Sequence, residues 1–336
     1  MKRMDLPHPK RLYLILIPVF LSAMLLSLLA GSASFSPDVL WGGLTGQPGY
    51  ETVHFILYSL RLPRILAAVI AGAGLAVSGV LLQNIMGNPL ASPNTIGVNA
   101  GAGLTTVICL TLYPSALALL PFAAFTGAFG TSLLILAISR RAGGGKGTVV
   151  LAGVAITTLF QAVISFLSTL DTDVLSLYTA FAIGSLQGVA VRQLLLPGLL
   201  VMLCLIASLF LSGRIAALSL GDEVASSLGI RTGQMRTVCL ILASMSAAAV
   251  ISYAGMLGFV GLVVPHMTRK LTGSEIPHQI GISALLGAIL VMLSDLAGRV
   301  LFAPSEVSVG ILMALIGAPF FFILLLHRKE FPDADL

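Results

Sequence analysis

Five groups of residues in this chain could do chemistry. Arg61 and Arg64, in Leu60-Arg61-Leu62-Pro63-Arg64, and Arg299 carry guanidinium forks that match carboxylates in geometry. They suit either a partner's acidic groups or lipid headgroups reached by snorkelling. Asp222 and Glu223 open the stretch Ser219-Leu220-Gly221-Asp222-Glu223-Val224-Ala225-Ser226-Ser227-Leu228-Gly229. It reads as a short helix with an S-x-x-D box at its start and a glycine stop. Its acids face the positive helix end, and Val224, Leu228 and Ile230 give it a small apolar side. Both a packed connector and a docking helix for a cytoplasmic partner fit that pattern. Gly143-Gly144-Gly145-Lys146-Gly147-Thr148 looks like a phosphate loop, but Arg140 stands where the first glycine belongs and Gly147 where Ser or Thr must hold magnesium. A flexible basic loop is the preferred reading. Asp295 sits one turn before Arg299 and is expected to pair with it. Cys109, Cys204 and Cys239, with His8, His54, His266, His278 and His327, are scattered, so neither a metal cluster nor a disulfide framework is expected. No catalytic residue is assigned.

The elements that must position these groups are hydrophobic helices. Of the 336 residues 57% are apolar and 9% charged, against about 45–50% and about 25% in soluble domains. With a mean hydropathy of +1.04 this composition excludes a water-soluble globule. The net charge of +5 is therefore read as a membrane-orientation signal and not as a nucleic-acid footprint. The first apolar run, Leu12 to Ala30, follows Lys10-Arg11 and is long enough to span, which favours a retained helix over a cleaved signal peptide. Breaks at Pro, Gly and charges place ten helices near 12–30, 60–84, 94–112, 117–139, 148–168, 193–212, 236–254, 258–268, 279–298 and 307–326. They make a single transmembrane domain over residues 1–336, an all-α integral membrane protein whose longest non-spanning stretches are 31–57, 169–192 and 213–235.

With the N-terminus inside, Lys2, Arg3, Lys10, Arg11, Arg140, Arg141, Lys146, Arg214, Arg231, Arg236, Arg269, Lys270, Arg328 and Lys329 fall on the inner side. Only Arg61, Arg64, Arg192 and Arg299 fall outside, a bias that predicts both termini in the cytoplasm. Small residues recur at close-packing spacing in Ala71–Gly79 and at Gly97, Gly101 and Gly103, which reads as tight helix packing. Gly87-Asn88-Pro89-Leu90 and Gly261-Leu262-Val263-Val264-Pro265 break helices near the inner face. The helices hold too few convergent ionisable residues for an intramembrane enzyme, and too few buried acids for a proton- or sodium-coupled carrier.

Over nearly its whole length the chain resembles the FecCD family, permease subunits of ABC importers for iron–siderophore complexes, haem and cobalamin. The resemblance rests on Leu60–Arg64, on Gly87-Asn88-Pro89-Leu90-Ala91 followed by Gly97 to Gly103, on Leu220–Ala225 with Leu228-Gly229, and on Gly258–His266. It implies a type II importer fold of ten helices per subunit in a bacterial inner membrane. It also implies a second permease copy, identical or closely related, two cytoplasmic ATPases that bind ATP and magnesium, and an extracytoplasmic substrate-binding protein. No cofactor is implied in this chain. By resemblance, Gly221, Asp222, Glu223, Ala225, Leu228 and Gly229, within a coupling segment 214–235, enter the ATPase cleft, while Arg61, Arg64 and Arg299 dock the binding protein. The family's inner gate maps onto Asn88 and Pro89 and onto Lys146, Gly147 and Thr148. One departure is Met256-Leu257, where the family often has a proline after Gly255. The implied activity is inward movement of an iron–siderophore by alternating access. Haem or cobalamin import, an ion-coupled secondary carrier and a lipid-acting membrane enzyme are the alternatives.

Overall fold

The computed structural model describes residues 9–31, 35–143, 145–273 and 275–326. Lys2, Arg3, Arg328 and Lys329 of the inner basic set, His8, His327, Gly144 and both chain ends lie outside the described residues. The described chain is helical: α1 (Pro9–Leu29), α2 (Pro37–Thr45), α3 (Glu51–Phe55), α4 (Leu62–Met86), α5 (Val98–Leu112), α6 (Leu120–Arg141), α7 (Lys146–Leu170), α8 (Thr172–Ile183), α9 (Val191–Phe210), α10 (Ser212–Ser219), α11 (Asp222–Ser227), α12 (Thr232–Ala254), α13 (Val260–Thr272), α14 (Ile276–Val300) and α15 (Val309–Leu326). Each of the ten expected helices is present, and helices also occupy the stretches expected to be non-spanning: α2, α3, α8, α10 and α11. Among the described residues, seven helical segments are long and apolar enough to cross a membrane, whereas Val98–Leu112, Thr172–Ile183 and Val309–Ile323 are shorter apolar pieces.

The pillar of the fold is α4. The membrane-length segment that contains it, Glu51–Met86, is 78% buried over its most apolar window, against 17% for α1. Its alanines and glycines explain this, because where lipid is as apolar as the helices, association depends on how closely backbones approach. A Cβ on Gly72 would collide with the Gly287 carbonyl of α14, and one on Gly287 with the Gly72 carbonyl. A Cβ on Gly79 would strike the Gly261 carbonyl of α13, and one on Gly74 would sit 2.9 Å from Val201 of α9 and Val250 of α12. In a second crossing, Gly101 of α5 and Gly127 of α6 each leave space for the other's carbonyl. Gly72, Gly74, Gly79 and Gly101 thus fill the packing role expected for them.

Helix directions follow from the bonds that cross these contacts. Tyr253, Ser246 and Ser78 tie α12 to α4 through Tyr253 Oη to the Ala67 carbonyl (2.9 Å), Ser246 Oγ to Gly74 (2.9 Å) and Ser78 Oγ to Ala243 (2.7 Å), so the two helices run antiparallel. α14 is also antiparallel to α4, with Arg64 bonded to Asp295 at one end and Asn84 to Gln279 at the other. α4 has 25 residues and is about 37 Å long at 1.5 Å per residue. Its length therefore separates two distinct polar stations.

Candidate functional site

The first station stands at the start of α4. A six-residue π-helical turn, Ile56–Arg61, joins α3 to α4, and Pro63 follows directly in the first turn of α4. π turns are rare and frequent at functional sites. Arg61 lies across the end of α1: its Nη1 donates to the carbonyls of Leu28 (2.6 Å) and Leu29 (2.8 Å), and its guanidinium sits 5.0 Å from the centre of the Phe35 ring. Arg299 reaches the same helix end, with Nη2 donating to Ser27 (3.3 Å) and Nη1 to Ala30 (3.4 Å). The last carbonyls of any helix lack intrahelical partners and carry its negative dipole end, so two cations there satisfy both needs. Gly31 makes room, since a Cβ on it would lie 3.1 Å from Arg61 and 3.4 Å from Arg299.

Arg64 holds two carboxylates. Its Nε donates to both oxygens of Asp295 at 3.0 Å, and its Nη1 donates to Glu306 Oε2 at 2.7 Å. Arg299 Nε lies 3.1 Å from Asp295 Oδ2, an ion pair by distance whose N–H is not aligned for a hydrogen bond. The expected pairing of Asp295 with Arg299 is therefore present, in a larger network of two arginines and two acids, with Arg61 beside Arg299 at the end of α1. Arg61 and Arg299 are only 5% and 4% exposed, unlike arginines displayed on an open rim. They are drawn inward because α1 ends there with unpaired carbonyls. The one signal for Glu306, which sequence reasoning missed, is that it is the only acid between Arg299 and α15.

The second station is at the other end of α4. Arg236, in the first turns of the antiparallel α12, donates through Nη2 to both oxygens of Asp222 at 2.8 and 2.9 Å. α11 begins at Asp222 with Glu223 beside it, and both acids are exposed. Ser219 is not its cap, however: it ends the preceding helix α10, and its hydroxyl bonds back to the Ala216 carbonyl (2.7 Å), leaving Gly221 at φ +111° before the first turn. The glycine stop is as expected. Gly229, at φ +79°, donates to Ser226 (2.9 Å) while Ile230 donates to Ala225 (3.0 Å), the paired bonds of a Schellman ending. Ala225 is fully buried and seats the helix, whereas Leu220, Val224 and Leu228 point outward and Ile230 packs against the main core. The result is an acidic and apolar knob.

The residues mapped onto a gate lie towards this same end. α4 stops at Gly87 (φ +61°), Asn88 Oδ1 accepts from the Leu90 amide (2.9 Å), and Pro89 completes that exposed turn. The following 3-10 turn, Pro93–Ile96, packs against α7, where Gly153 has no room for a Cβ beside the Thr95 carbonyl. Lys146 starts α7 directly after its N-cap Gly145, Gly147 is exposed and Thr148 half-buried. The departure after Gly255 also has a local reason: the Met256 amide donates to the Phe181 carbonyl at 3.2 Å, and a proline could not make that bond.

An all-helical bundle whose long members are apolar, whose pillar is built of small residues and whose polar groups gather at two opposite ends defines a multi-pass membrane protein. The chain belongs to the FecCD transport family, whose model matches residues 19–327. It is 34% identical over 321 residues to the Fe(3+)-citrate import system permease protein YfmE of Bacillus subtilis, covering 95% of both chains. It is also 34% identical over 322 residues to the hemin transport system permease protein HmuU of Yersinia pestis, covering 93% of this chain and 95% of that one. A solved metal-chelate type ABC transporter in an inward-facing conformation superposes with a TM-score of 0.85 at 31% identity, over 95% of this chain and 99% of that chain. The chain is thus an ABC importer permease of the FecCD type.

Proposed function

We propose that this chain is the membrane subunit of a bacterial ABC importer for chelated iron, iron–siderophore first, lying in the inner membrane with ten spans and both termini cytoplasmic. The observation that carries the reading is the separation of the two stations along α4. An arginine–carboxylate rim at one end faces a substrate-binding protein, and the α11 knob at the other meets the ATPase. A second permease copy completes the pathway. ATP closes the partner ATPases, α11 moves with them, and the helices tilt to open the pathway to the docked receptor. Family membership and relatives whose names include iron–citrate and hemin systems support a metal chelate as cargo.

The ion pairs refine the docking proposal. Arg61 and Arg299 are seated on α1, so they shape the rim, while Arg64 shares Glu306, the more exposed of its two carboxylates, and can exchange it for a receptor's carboxylate. The test is reconstitution of the chain in liposomes with its ATPase and binding protein. Vanadate-sensitive uptake of a ferric chelate that needs all three is expected. Uptake by the chain alone that collapses with an uncoupler would establish a secondary carrier instead.

A further inference from the structure

A cavity of about 490 Å³ opens at the basic end of the bundle, where α9 passes into α10 and the α11 turn enters α12. Its size falls within the about 300–1,000 Å³ typical of small-molecule sites. Its walls include Arg214, Leu228, Gly229, Arg231 and Gln234, with Val238 one helical turn further along α12. Both arginines are exposed at the rim of the cavity. Arg236 is neutralised by Asp222 and Arg140 is bonded to Thr237, but neither Arg214 nor Arg231 has a carboxylate or side-chain hydrogen-bond partner among the described residues. Two uncompensated guanidiniums and an amide therefore share one cavity.

The surroundings choose among anions. Next to the cavity, α9 presents Ile206 and Phe210 to the outside, Phe210 at 87% exposure, and α12 presents Val238. Both helices are long and apolar enough to cross a membrane. A molecule held here would meet charge at the helix ends and an apolar wall along the bundle. Basic pockets between spanning helices at the cytoplasmic face are matched by anionic headgroups, and the guanidinium fork suits a phosphate diester. We infer that this cavity is a binding site for the headgroup of an anionic phospholipid, held by Arg214 and Arg231 with its acyl chains against α9 and α12. The cavity reaches the end of α11 through Leu228 and Gly229, within the segment 214–235 proposed to meet the ATPase, and the assignment rests on that reading's cytoplasmic placement of this end.

The test is native mass spectrometry of the full-length protein in nonionic detergent, titrated with dioleoylphosphatidylglycerol or dioleoylphosphatidylcholine. Phosphatidylglycerol should be retained in preference to phosphatidylcholine. Arg214→Gln with Arg231→Gln should weaken its retention roughly thirtyfold, about fivefold for each basic group. Arg214→Lys with Arg231→Lys should keep most of it, and Arg192→Gln at the opposite end should change nothing. Equal retention of the two lipids, or unchanged phosphatidylglycerol retention in the double Gln variant, would overturn the assignment. Displacement of the lipid by equimolar inorganic phosphate would give the cavity to a soluble anion. Loss of ATPase binding in the double Gln variant, with lipid retention unchanged, would give it to that partner.

Discussion

Asp295 is the residue on which the arginine rim turns. It is 3% exposed and, among the described residues, the only carboxylate that touches both Arg64 and Arg299. Removing one member of a buried ion pair strands the other charge in a poorly solvated place, at a cost of about 3–5 kcal/mol. Asp295→Asn is therefore expected to destabilise the protein by that amount, measured by denaturant unfolding in detergent followed by circular dichroism. Glu306→Gln, at a more exposed partner of the same arginine, should cost less than about 1 kcal/mol. Asp222 belongs to the opposite regime. Its side chain is half exposed, so Asp222→Asn should leave stability within about 1 kcal/mol of the parent. In the proposed coupling role the same change would lower affinity for the ATPase, read by co-purification. An Asp222→Asn variant that unfolded early but still bound the ATPase would make α11 a packed connector.

At the scale of helices, glycines decide the architecture. Gly72 and Gly287 bring α4 and α14 into backbone contact, and a methyl group on either would meet a carbonyl that belongs to a rigid helix. Overpacking of this kind costs about 1–3 kcal/mol, so Gly72→Ala should lower the unfolding midpoint in detergent. Gly130 provides the control. It lies in α6 with nothing within 4 Å of the position its Cβ would take, and Gly130→Ala should be neutral or stabilising by up to about 1 kcal/mol through helix propensity alone. If both substitutions behaved alike, the crossings would not be carried by backbone approach.

For the whole molecule the decisive feature is polarity along the bundle. Arg61, Arg64, Arg192 and Arg299 lie at one end, while Arg140, Arg214, Arg231, Arg236, Arg269 and Lys270 lie at the other, because α9 runs parallel to α4 and α12 and α14 run antiparallel to it. Cysteines placed singly at 222 and 306, with the three native cysteines replaced, should react with a membrane-impermeant maleimide from opposite faces of oriented vesicles. Position 222 is expected on the cytoplasmic face. Labelling of both positions from one face would remove the basis for assigning receptor and motor to separate ends.

The ten helices were legible as helices because apolar runs, and the charges, prolines and glycines that stop them, are local signals; seven of them, among the described residues, have the length and apolarity to cross lipid. The small-residue runs announced close packing for a similar reason, and the Asp295–Arg299 pair could be read from one turn of helix. The sequence did not reveal that Arg61 and Arg299 clasp the end of α1, that Arg64 reaches Glu306, or that Ser219 closes α10 instead of capping α11. Those choices depend on which unpaired carbonyl or carboxylate another helix brings near, across separations of up to 272 residues. Composition and periodicity determined that this chain lives in a membrane and where its helices run; only the tertiary fold decided which charges are consumed within the bundle and which remain for a partner.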